Sequence, residues 1–202
     1  NKDKCFFIPN PSDDSFETLN NFNKSCAVDV FFALSHGVHR GKLKIGKVDD
    51  RINFLNKLQQ MTDDVKFDIY GINKIQPIWA DHYFKTIENA KMGLNLSRGK
   101  PIKYYSSDRI TQIVGNGLVC LIDEKTQYRD FFNDNEMVFY KNINDLSEKI
   151  LKISRDEKLR KHIARNGKAK YMKHFNSNII AEFIINKTLD INTKRKYFWH
   201  GK

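Results

Sequence analysis

Two stretches of the sequence place glycines, hydroxyls and cations directly after a short apolar run. The first follows Val28–Leu34 and offers His36, Gly37 and Arg40. The second follows Met92–Leu96 and is richer; its candidate residues are Arg98, Lys103, Ser106, Ser107 and Arg109. Free backbone N–H groups, hydroxyls and cations are the donors that phosphate oxygens accept. The two stretches therefore predict a phosphate-binding site. A mobile basic loop is the alternative for the first, and a local ion pair between Arg109 and Asp108 is the alternative for the second.

Polar residues beyond these stretches extend the candidate site toward hydroxyl groups. Gln112 lies one helical turn after Arg109, so both would share a helix face, and its amide could bond a ribose hydroxyl. An ordinary surface role for Gln112 stays open. Asp123 directly follows an apolar run, and Thr126 and Gln127 come just after it, which would place them near a sugar.

The elements that must position these residues alternate along the first 140 residues. Five short runs are apolar throughout, as in strands buried on both faces: Val28–Leu34, Val65–Tyr70, Met92–Leu96, Leu118–Ile122 and Met137–Tyr140. Four segments of helical period separate them: Asp50–Met61, Trp79–Ala90, Ser106–Val114 and Thr126–Phe132. Alternating strands and helices predict an α/β fold with a doubly wound parallel sheet, which binds ligands beyond the carboxyl ends of its strands.

After Tyr140 the pattern becomes helical only. Apolar stripes at i, i+3 and i+4 spacing predict three helices, over Asn144–Ser154, Asp156–His174 and Asn178–Leu189. Gly167 predicts a bend or a cap within the second of these. Before Arg109, the side chain of Ser106, Ser107 or Asp108 is expected to cap the helix. At the other end of that helix, Asn116-Gly117 predicts a left-handed cap.

The composition describes one domain with a real core. The chain has 202 residues, of which 40% are hydrophobic, and a mean hydropathy of -0.60. No apolar run is long enough to cross a bilayer, and the first residues have no secretory pattern. The absence of an initiator Met suggests that the sequence is part of a longer chain. Cys5, Cys26 and Cys120 form no CxxC pair, so reduced thiols are expected and no zinc site is predicted.

The charge is concentrated in the last third of the chain. The net charge is +11, and residues 141–202 hold 16 Lys and Arg against 6 Asp and Glu. A basic face of this kind could lie on anionic lipid or on an acidic polymer. A solvated helical surface is the simpler explanation.

In their order and spacing, these residues resemble the C-terminal domain of GT-B glycosyltransferases of group 1, in particular the spore-protein-like bacterial type. The match runs from about Phe6 to about Phe183. Its main motifs are Phe7-Ile8-Pro9-Asn10-Pro11, Asp29–Ser35, Tyr105–Gly117, Asn135–Tyr140 with Asn144-Asp145-Leu146, and Asp156–Gly167 with Tyr171 and His174-Phe175. Family members usually have a Glu at the position of Gln112, and that Glu binds the donor ribose.

The resemblance implies a Rossmann-like half of a GT-B fold with C-terminal helices. Residues 1–27 would be an interdomain link, 28–190 the nucleotide-sugar-binding domain, and 191–202 a basic tail. The implied reaction transfers a sugar from a nucleoside diphosphate to an acceptor hydroxyl on a surface glycan, lipid or protein. It needs no metal and no cofactor, since a helix dipole and basic side chains stabilise the leaving diphosphate. The N-terminal acceptor domain would be missing, so no catalytic base is assigned.

Two other functions stay open from the sequence. The chain could be a non-catalytic interaction module, with Gln112 as a trace of lost activity, or a basic domain that binds nucleic acid or a membrane surface. A nucleic-acid partner is not expected, because aromatic residues do not alternate with the basic ones outside Tyr197-Phe198-Trp199. The expected location is the cytoplasm, with peripheral contact at the inner membrane face as a further hypothesis.

Overall fold

A five-stranded parallel sheet forms the centre of the protein. The computed structural model describes residues 5–35 and 50–201. Its strands are β1 (Val28–Ala33), β2 (Phe67–Tyr70), β3 (Ala90–Asn95), β4 (Val119–Asp123) and β5 (Val138–Tyr140). Its helices are α1 (Asp50–Gln60), α2 (Ala80–Ile87), α3 (Arg109–Gly115), α4 (Ile143–Arg155), α5 (Glu157–His174) and α6 (Ser177–Thr188).

The strand order is β2-β1-β3-β4-β5, and every neighbouring pair is parallel. Val30 of β1 pairs with Phe67 on one side and with Met92 on the other. The chain therefore leaves β1 in one direction to form β2 and returns past it to form β3. This reversal is the topological switch point at which doubly wound sheets bind ligands, and it lies between β1 and β3.

Both faces of the sheet are buried, because alternate strand residues enter two separate apolar clusters. On one face Phe31 and Ile122 pack with α3 and α6, represented by Ile113 and Phe183. On the other face the strands pack against α1, α4 and the first half of α5. β1 is buried almost throughout, as its uninterrupted apolar run predicts. The prediction of an α/β doubly wound parallel sheet is confirmed.

Residues 5–27, named here the N-terminal strap, run along the outside of this arrangement. Ser12 forms a parallel bridge with Asn176, and its backbone N–H donates to Phe175 O at 2.9 Å. Further along, the amide of Asn21 donates to Ile87 O and Ala90 O, each at 2.8 Å. The strap thus joins the start of the described chain to its last helices.

Three local predictions were wrong. Gly167 does not cap a helix, because α5 continues unbroken through it, and the position requires glycine because a β-carbon there would lie 2.3 Å from Glu136 O. The segment Thr126–Phe132 is not an α-helix. Two 3-10 turns, Glu124–Thr126 and Tyr128–Asp130, flank Gln127, whose φ of 57° is left-handed. No side-chain hydrogen bond caps α3 in the structure.

The final residues carry buried aromatics as well as exposed cations. Tyr197 is 7% exposed and Trp199 is 2% exposed, and both rings pack against Phe183. Lys194 and Lys196 are exposed. The aromatic residues therefore join the core, while the charges remain on the surface.

Candidate functional site

Arg109 lies at the switch point and links the ends of two strands. Its Nε donates to the carbonyl of Ala33, the last residue of β1, at 3.2 Å. Its Nη1 donates to Leu96 O, directly after β3, at 3.3 Å and to the Ser107 hydroxyl at 3.0 Å. The guanidinium carbon lies 4.7 Å from the centre of the Phe32 ring. These contacts fix the guanidinium across the carboxyl edge of the sheet.

No carboxylate of the described residues pairs with this guanidinium. All of its hydrogen bonds within the described residues reach neutral oxygens, and none reaches Asp108. Burial lowers the pKa of Arg109 to about 10, because desolvation penalises the charged form, and the group stays protonated at neutral pH. Its Nη2 donates no hydrogen bond to the described residues. Two N–H groups of Arg109 thus have no partner among residues 5–35 and 50–201.

Ser106 and Ser107 do not cap α3 but fasten its entry loop to β3. The Asn95 amide donates to Ser106 Oγ at 2.9 Å, and Ser107 Oγ donates to Asn95 Oδ1 at 3.3 Å. Asn95 is 4% exposed and Ser106 is 9% exposed. Because α3 has only seven residues, the guanidinium contributes more positive charge here than the helix dipole does. The two serines position Arg109.

Gln112 lies on the same side of α3 as Arg109 and borders the same cavity. Its Oε1 accepts from the Tyr83 hydroxyl at 2.6 Å, and its Nε2 donates to Asp108 Oδ2 at 3.3 Å. Burial raises the pKa of Tyr83, so this hydroxyl remains a neutral donor. Both ends of the Gln112 amide thus already have protein partners.

Three adjoining cavities form a groove along the carboxyl edge of the sheet. The first, of about 380 Å³, lies between β1, the start of α2 and α3, and is bordered by Trp79, Tyr83, Arg109 and Gln112. The middle one, of about 370 Å³, shares Ser107 and Arg109 with it. The third, of about 320 Å³, lies between the first turns of α1 and the carboxyl ends of β3, β4 and β5. Volumes of this size suit small organic ligands.

The other predicted residues fall at different places around this groove. Arg98 is exposed and borders the middle cavity with Arg109. Asp123 and Thr126 border the third cavity. Lys103 is exposed, with its Nζ 4.5 Å from the Tyr104 ring centre, and Gln127 occupies an exposed turn; neither borders the three cavities. His36, Gly37 and Arg40 lie outside the described residues.

Burial changes the acid strength of Asp123. Desolvation raises the pKa of this carboxyl, opposed by the hydrogen bond that the Lys125 backbone N–H donates to it at 2.9 Å. The Thr126 hydroxyl donates to the Asp123 carbonyl at 2.7 Å. A half-buried carboxylate held in this way can accept hydrogen bonds from ligand hydroxyls.

Sequence reasoning missed several residues that border the groove: Arg51, Trp79, Tyr83, Asn95 and Tyr105. Only Asn95 carries a usable signal, since it is a polar residue at the carboxyl end of an apolar strand. Tyr83 and Trp79 sit on α2 or just before it and reach the site through helix packing. Their position depends on how α2 lies against β1, which local sequence does not specify.

Some features are absent from the described residues. Across 5–35 and 50–201, no group of three His, Cys, Asp or Glu side chains could hold a metal ion. In the same ranges, no helix is both long and apolar enough to span a bilayer. The cysteines are free thiols, with Cys26 and Cys120 buried and Cys5 exposed.

The fold and the site together define a doubly wound α/β domain with a groove at its switch point that the cationic side chain of Arg109 borders. A family model described as "Glycosyl transferase-like" matches residues 51–186, about two thirds of the chain. The chain belongs to this glycosyl transferase-like family. A search of curated proteins gives no significant match.

Solved glycosyltransferases share the fold. A TarM variant from S. aureus, in complex with fondaparinux, alpha-GlcNAc-glycerol and UDP, gives a TM-score of 0.56 at 16% identity, over 81% of this chain and 36% of TarM. A glycosyltransferase from Rickettsia africae gives 0.55 at 14% identity, over 96% and 59%. Sucrose-phosphate synthase from Thermosynechococcus elongatus gives 0.53 at 13%, over 93% and 51%. The fold is therefore that of the C-terminal-like domain of GT-B enzymes. The chain spans about a third to three fifths of these structures.

Proposed function

We propose that this chain binds the nucleoside diphosphate sugar of a glycosyltransferase. The sugar is transferred to a hydroxyl on a surface glycan, a lipid or a protein, and a separate acceptor domain completes the active site. The proposal rests on one observation: Arg109 holds a desolvated charge at the switch point of the sheet, and no carboxylate in the described part of the chain pairs with it. Uncompensated buried charges are costly, and they recur where a ligand supplies the opposite charge.

The groove suits the parts of such a donor. Its diphosphate would lie at the shared wall of the first two cavities, where Arg109 and Ser107 donate and Arg98 adds charge. The ribose would lie beside Gln112. Since cationic side chains neutralise the diphosphate, the binding needs no metal ion or other cofactor. The narrower resemblance to spore-protein-like enzymes, the domain boundaries and the cytoplasmic location remain predictions.

The first test is a calorimetric titration of the purified protein with UDP, GDP, ADP and CDP in the presence of EDTA. UDP is the first choice because the TarM variant of the same fold is in complex with it. We expect one diphosphate to bind selectively. Arg109→Ala should weaken that binding at least tenfold, since it removes a charge-assisted bond worth about 1.5–3 kcal/mol.

Two further variants sharpen this test. Arg109→Lys keeps the charge but cannot link the two strand ends, so it should bind nearly as weakly as the alanine variant. Arg155→Ala is the matched control, because Arg155 is exposed and pairs with Asp64 away from the groove. Binding of all four diphosphates with equal affinity in wild type and Arg109→Ala, or binding of none, would contradict the proposal.

A further inference from the structure

Helix α3, which carries Arg109, depends on other parts of the chain for its position. It has only seven residues, and a helix of this length is not stable in water by itself. The loop before it is fastened to β3 through Asn95, as described above. Its apolar side chains enter the cluster that covers one face of the sheet: Ile110, Ile113 and Val114. Its remaining contacts include several with the N-terminal strap.

The strap contacts the start of α3 through Asn10. The side-chain amide of Asn10 donates to Ser106 O at 3.2 Å, and the backbone O of Asn10 accepts from the Tyr171 hydroxyl at 2.8 Å. Tyr171 belongs to α5 and is fully buried. Ser106 directly precedes Ser107, whose hydroxyl accepts from Arg109. Asn10 therefore joins the core of the protein to the loop that holds the guanidinium.

The strap also contacts the middle and the end of α3. In the middle, Thr111 Oγ1 donates to Pro11 O at 3.2 Å. At the end, the Leu19 backbone N–H donates to Asn116 Oδ1 at 3.1 Å, and the Asn116 amide donates to Gln112 O at 2.9 Å. Strap and helix are thus joined by hydrogen bonds along the whole length of α3.

These strap contacts lie away from the groove. Asn10, Pro11 and Leu19 border none of its three cavities, and neither does Thr111. All four residues are uncharged, so an effect on a ligand would pass through the position of α3. That position matters for Arg109, because a charge-assisted hydrogen bond weakens steeply when its length or angle departs from the ideal.

We propose that Asn10 is a positioning residue for Arg109, and that the strap and the diphosphate site are coupled through α3. The inference rests on the function proposed above and adds a control on the same site: the strap sets how tightly the diphosphate is held. A displacement of the strap would shift Arg109 relative to the carbonyls of Ala33 and Leu96. Because such coupling is reciprocal, a bound diphosphate should in turn hold the strap more firmly.

The first measurement is the calorimetric affinity of the purified protein for whichever of UDP, GDP, ADP and CDP binds most tightly. Asn10→Leu keeps the size of the side chain and removes its amide, and it should weaken this affinity about three- to tenfold. Thr111→Val removes the bond to Pro11 and should also weaken it. Both variants leave the net charge and the residues of the groove unchanged. Wild-type affinity in both would overturn the proposal.

Ser12→Ala is the control for stability. Ser12 is a fully buried strap residue, and its hydroxyl donates to Met172 Sδ at 3.2 Å and to Phe175 O at 3.5 Å, away from α3. This variant should lower the melting temperature, as Asn10→Leu does, but bind the diphosphate as tightly as the wild type. An equal loss of affinity in Ser12→Ala would overturn the role assigned to Asn10.

Hydrogen exchange gives a second readout, which needs no ligand. In the ligand-free protein, Asn10→Leu should speed the exchange of the backbone amides of α3, while those of α6 keep their wild-type rates. In the wild type, the bound diphosphate should slow exchange of the Leu19 amide, and Arg109→Ala should abolish this protection.

The two readouts separate this inference from the proposed function. Failure of every diphosphate to bind the wild type would overturn the proposed function, and the exchange rates of α3 would still decide whether Asn10 positions this helix. Diphosphate binding by the wild type together with unchanged α3 exchange in Asn10→Leu would overturn the coupling and leave the proposed function intact.

Discussion

At position 112 the side chain needs both an acceptor and a donor. Gln112 accepts from Tyr83 and donates to Asp108, which lies four residues earlier on the same helix face. A glutamate, which related sequences were expected to have here, lacks the donor and would face Asp108 with a like charge. Like charges at this spacing destabilise a helix. Glutamine therefore suits this position better than glutamate, because its amide can donate to Asp108.

The bond from Tyr83 to Gln112 should contribute measurably to stability. Tyr83→Phe removes the donor, and we expect the free energy of unfolding to fall by about 1 kcal/mol. Because the pKa of Tyr83 is raised, the loss should be constant between about pH 5 and pH 9. Chemical denaturation at several pH values measures both quantities.

A double-mutant cycle assigns this loss to the bond itself. Gln112→Met removes the acceptor, and the Tyr83→Phe/Gln112→Met double variant should lose less than the sum of the two single losses. Strict additivity would show that Tyr83 stabilises the protein by packing against Phe31 and not through Gln112.

The sequence indicated part of this site and not the rest. Arg109, Ser107 and Gln112 could be placed together because they follow a strand and share one helix face. Whether Arg109 pairs with Asp108 could not be decided, since it depends on the carbonyls of Ala33 and Leu96, which two separate strands bring to the guanidinium.

At the scale of elements, sequence periodicity predicted the strands and the long helices to within three residues at each end. The strands were predictable because both their faces are buried, which leaves long apolar runs. The long helices were predictable from apolar residues that recur at i, i+3 and i+4 along one helix face. The 3-10 turns after β4 were not, since they depend on the left-handed φ of Gln127, a residue without a strong preference for that region.

Gly167 shows how packing overrides helix propensity. In an exposed helix, glycine to alanine stabilises by up to about 1 kcal/mol. In α5 the added β-carbon would meet the Glu136 backbone oxygen at 2.3 Å, so Gly167→Ala should instead destabilise by about 1–3 kcal/mol. Urea denaturation measures the change. Lys158→Ala, at an exposed position of the same helix, should stay within about 0.5 kcal/mol, and a stabilised Gly167→Ala variant would contradict the packing described.

At the scale of the whole molecule, Arg160 fastens the N-terminal strap to α5. Its side chain is fully buried, and it donates to Asn21 O at 3.0 Å, to Lys24 O at 2.9 Å and to the Glu157 carboxylate. Unlike Arg109, it has an acidic partner and borders none of the groove cavities. The fully buried Arg160 therefore has a structural role, whereas the half-buried Arg109 is the residue proposed to bind a ligand.

Arg160→Met should lower the free energy of unfolding by about 2–4 kcal/mol, because the buried Asn21 carbonyl and the part-buried Lys24 carbonyl each lose a charged donor. Urea denaturation at pH 7 measures this loss. Arg155→Met removes an exposed ion pair and should change the free energy of unfolding by less than about 0.5 kcal/mol. A small effect of Arg160→Met would mean that the strap is not held by this residue.

Arg160→Met should also change how the free energy of unfolding depends on pH under acidic conditions. The hydrogen bond from Arg160 lowers the pKa of Glu157 below its ordinary 4.5. Because the pKa of Glu157 is lower in the folded than in the unfolded protein, its ionised carboxylate stabilises the fold at pH values above the unfolded pKa. This stabilisation is lost as the pH falls through the pKa of the folded protein. The difference between wild type and Arg160→Met should therefore narrow below about pH 4.5. A constant difference from pH 7 to pH 3 would contradict this coupling.

The strap also has a consequence for synthesis on the ribosome. Ser12 and Phe175, which are hydrogen-bonded in the fold, are 163 residues apart in the chain. The strap therefore leaves the ribosome long before the helices that it packs against. Until then Phe6, Phe7 and Phe22 lack their contacts with Phe183, Phe131 and Arg165. Contacts of such sequence separation form slowly and leave early segments open to aggregation. During translation, chaperones are expected to recognise this segment, and a nascent chain stalled before α5 should remain sensitive to protease at its beginning.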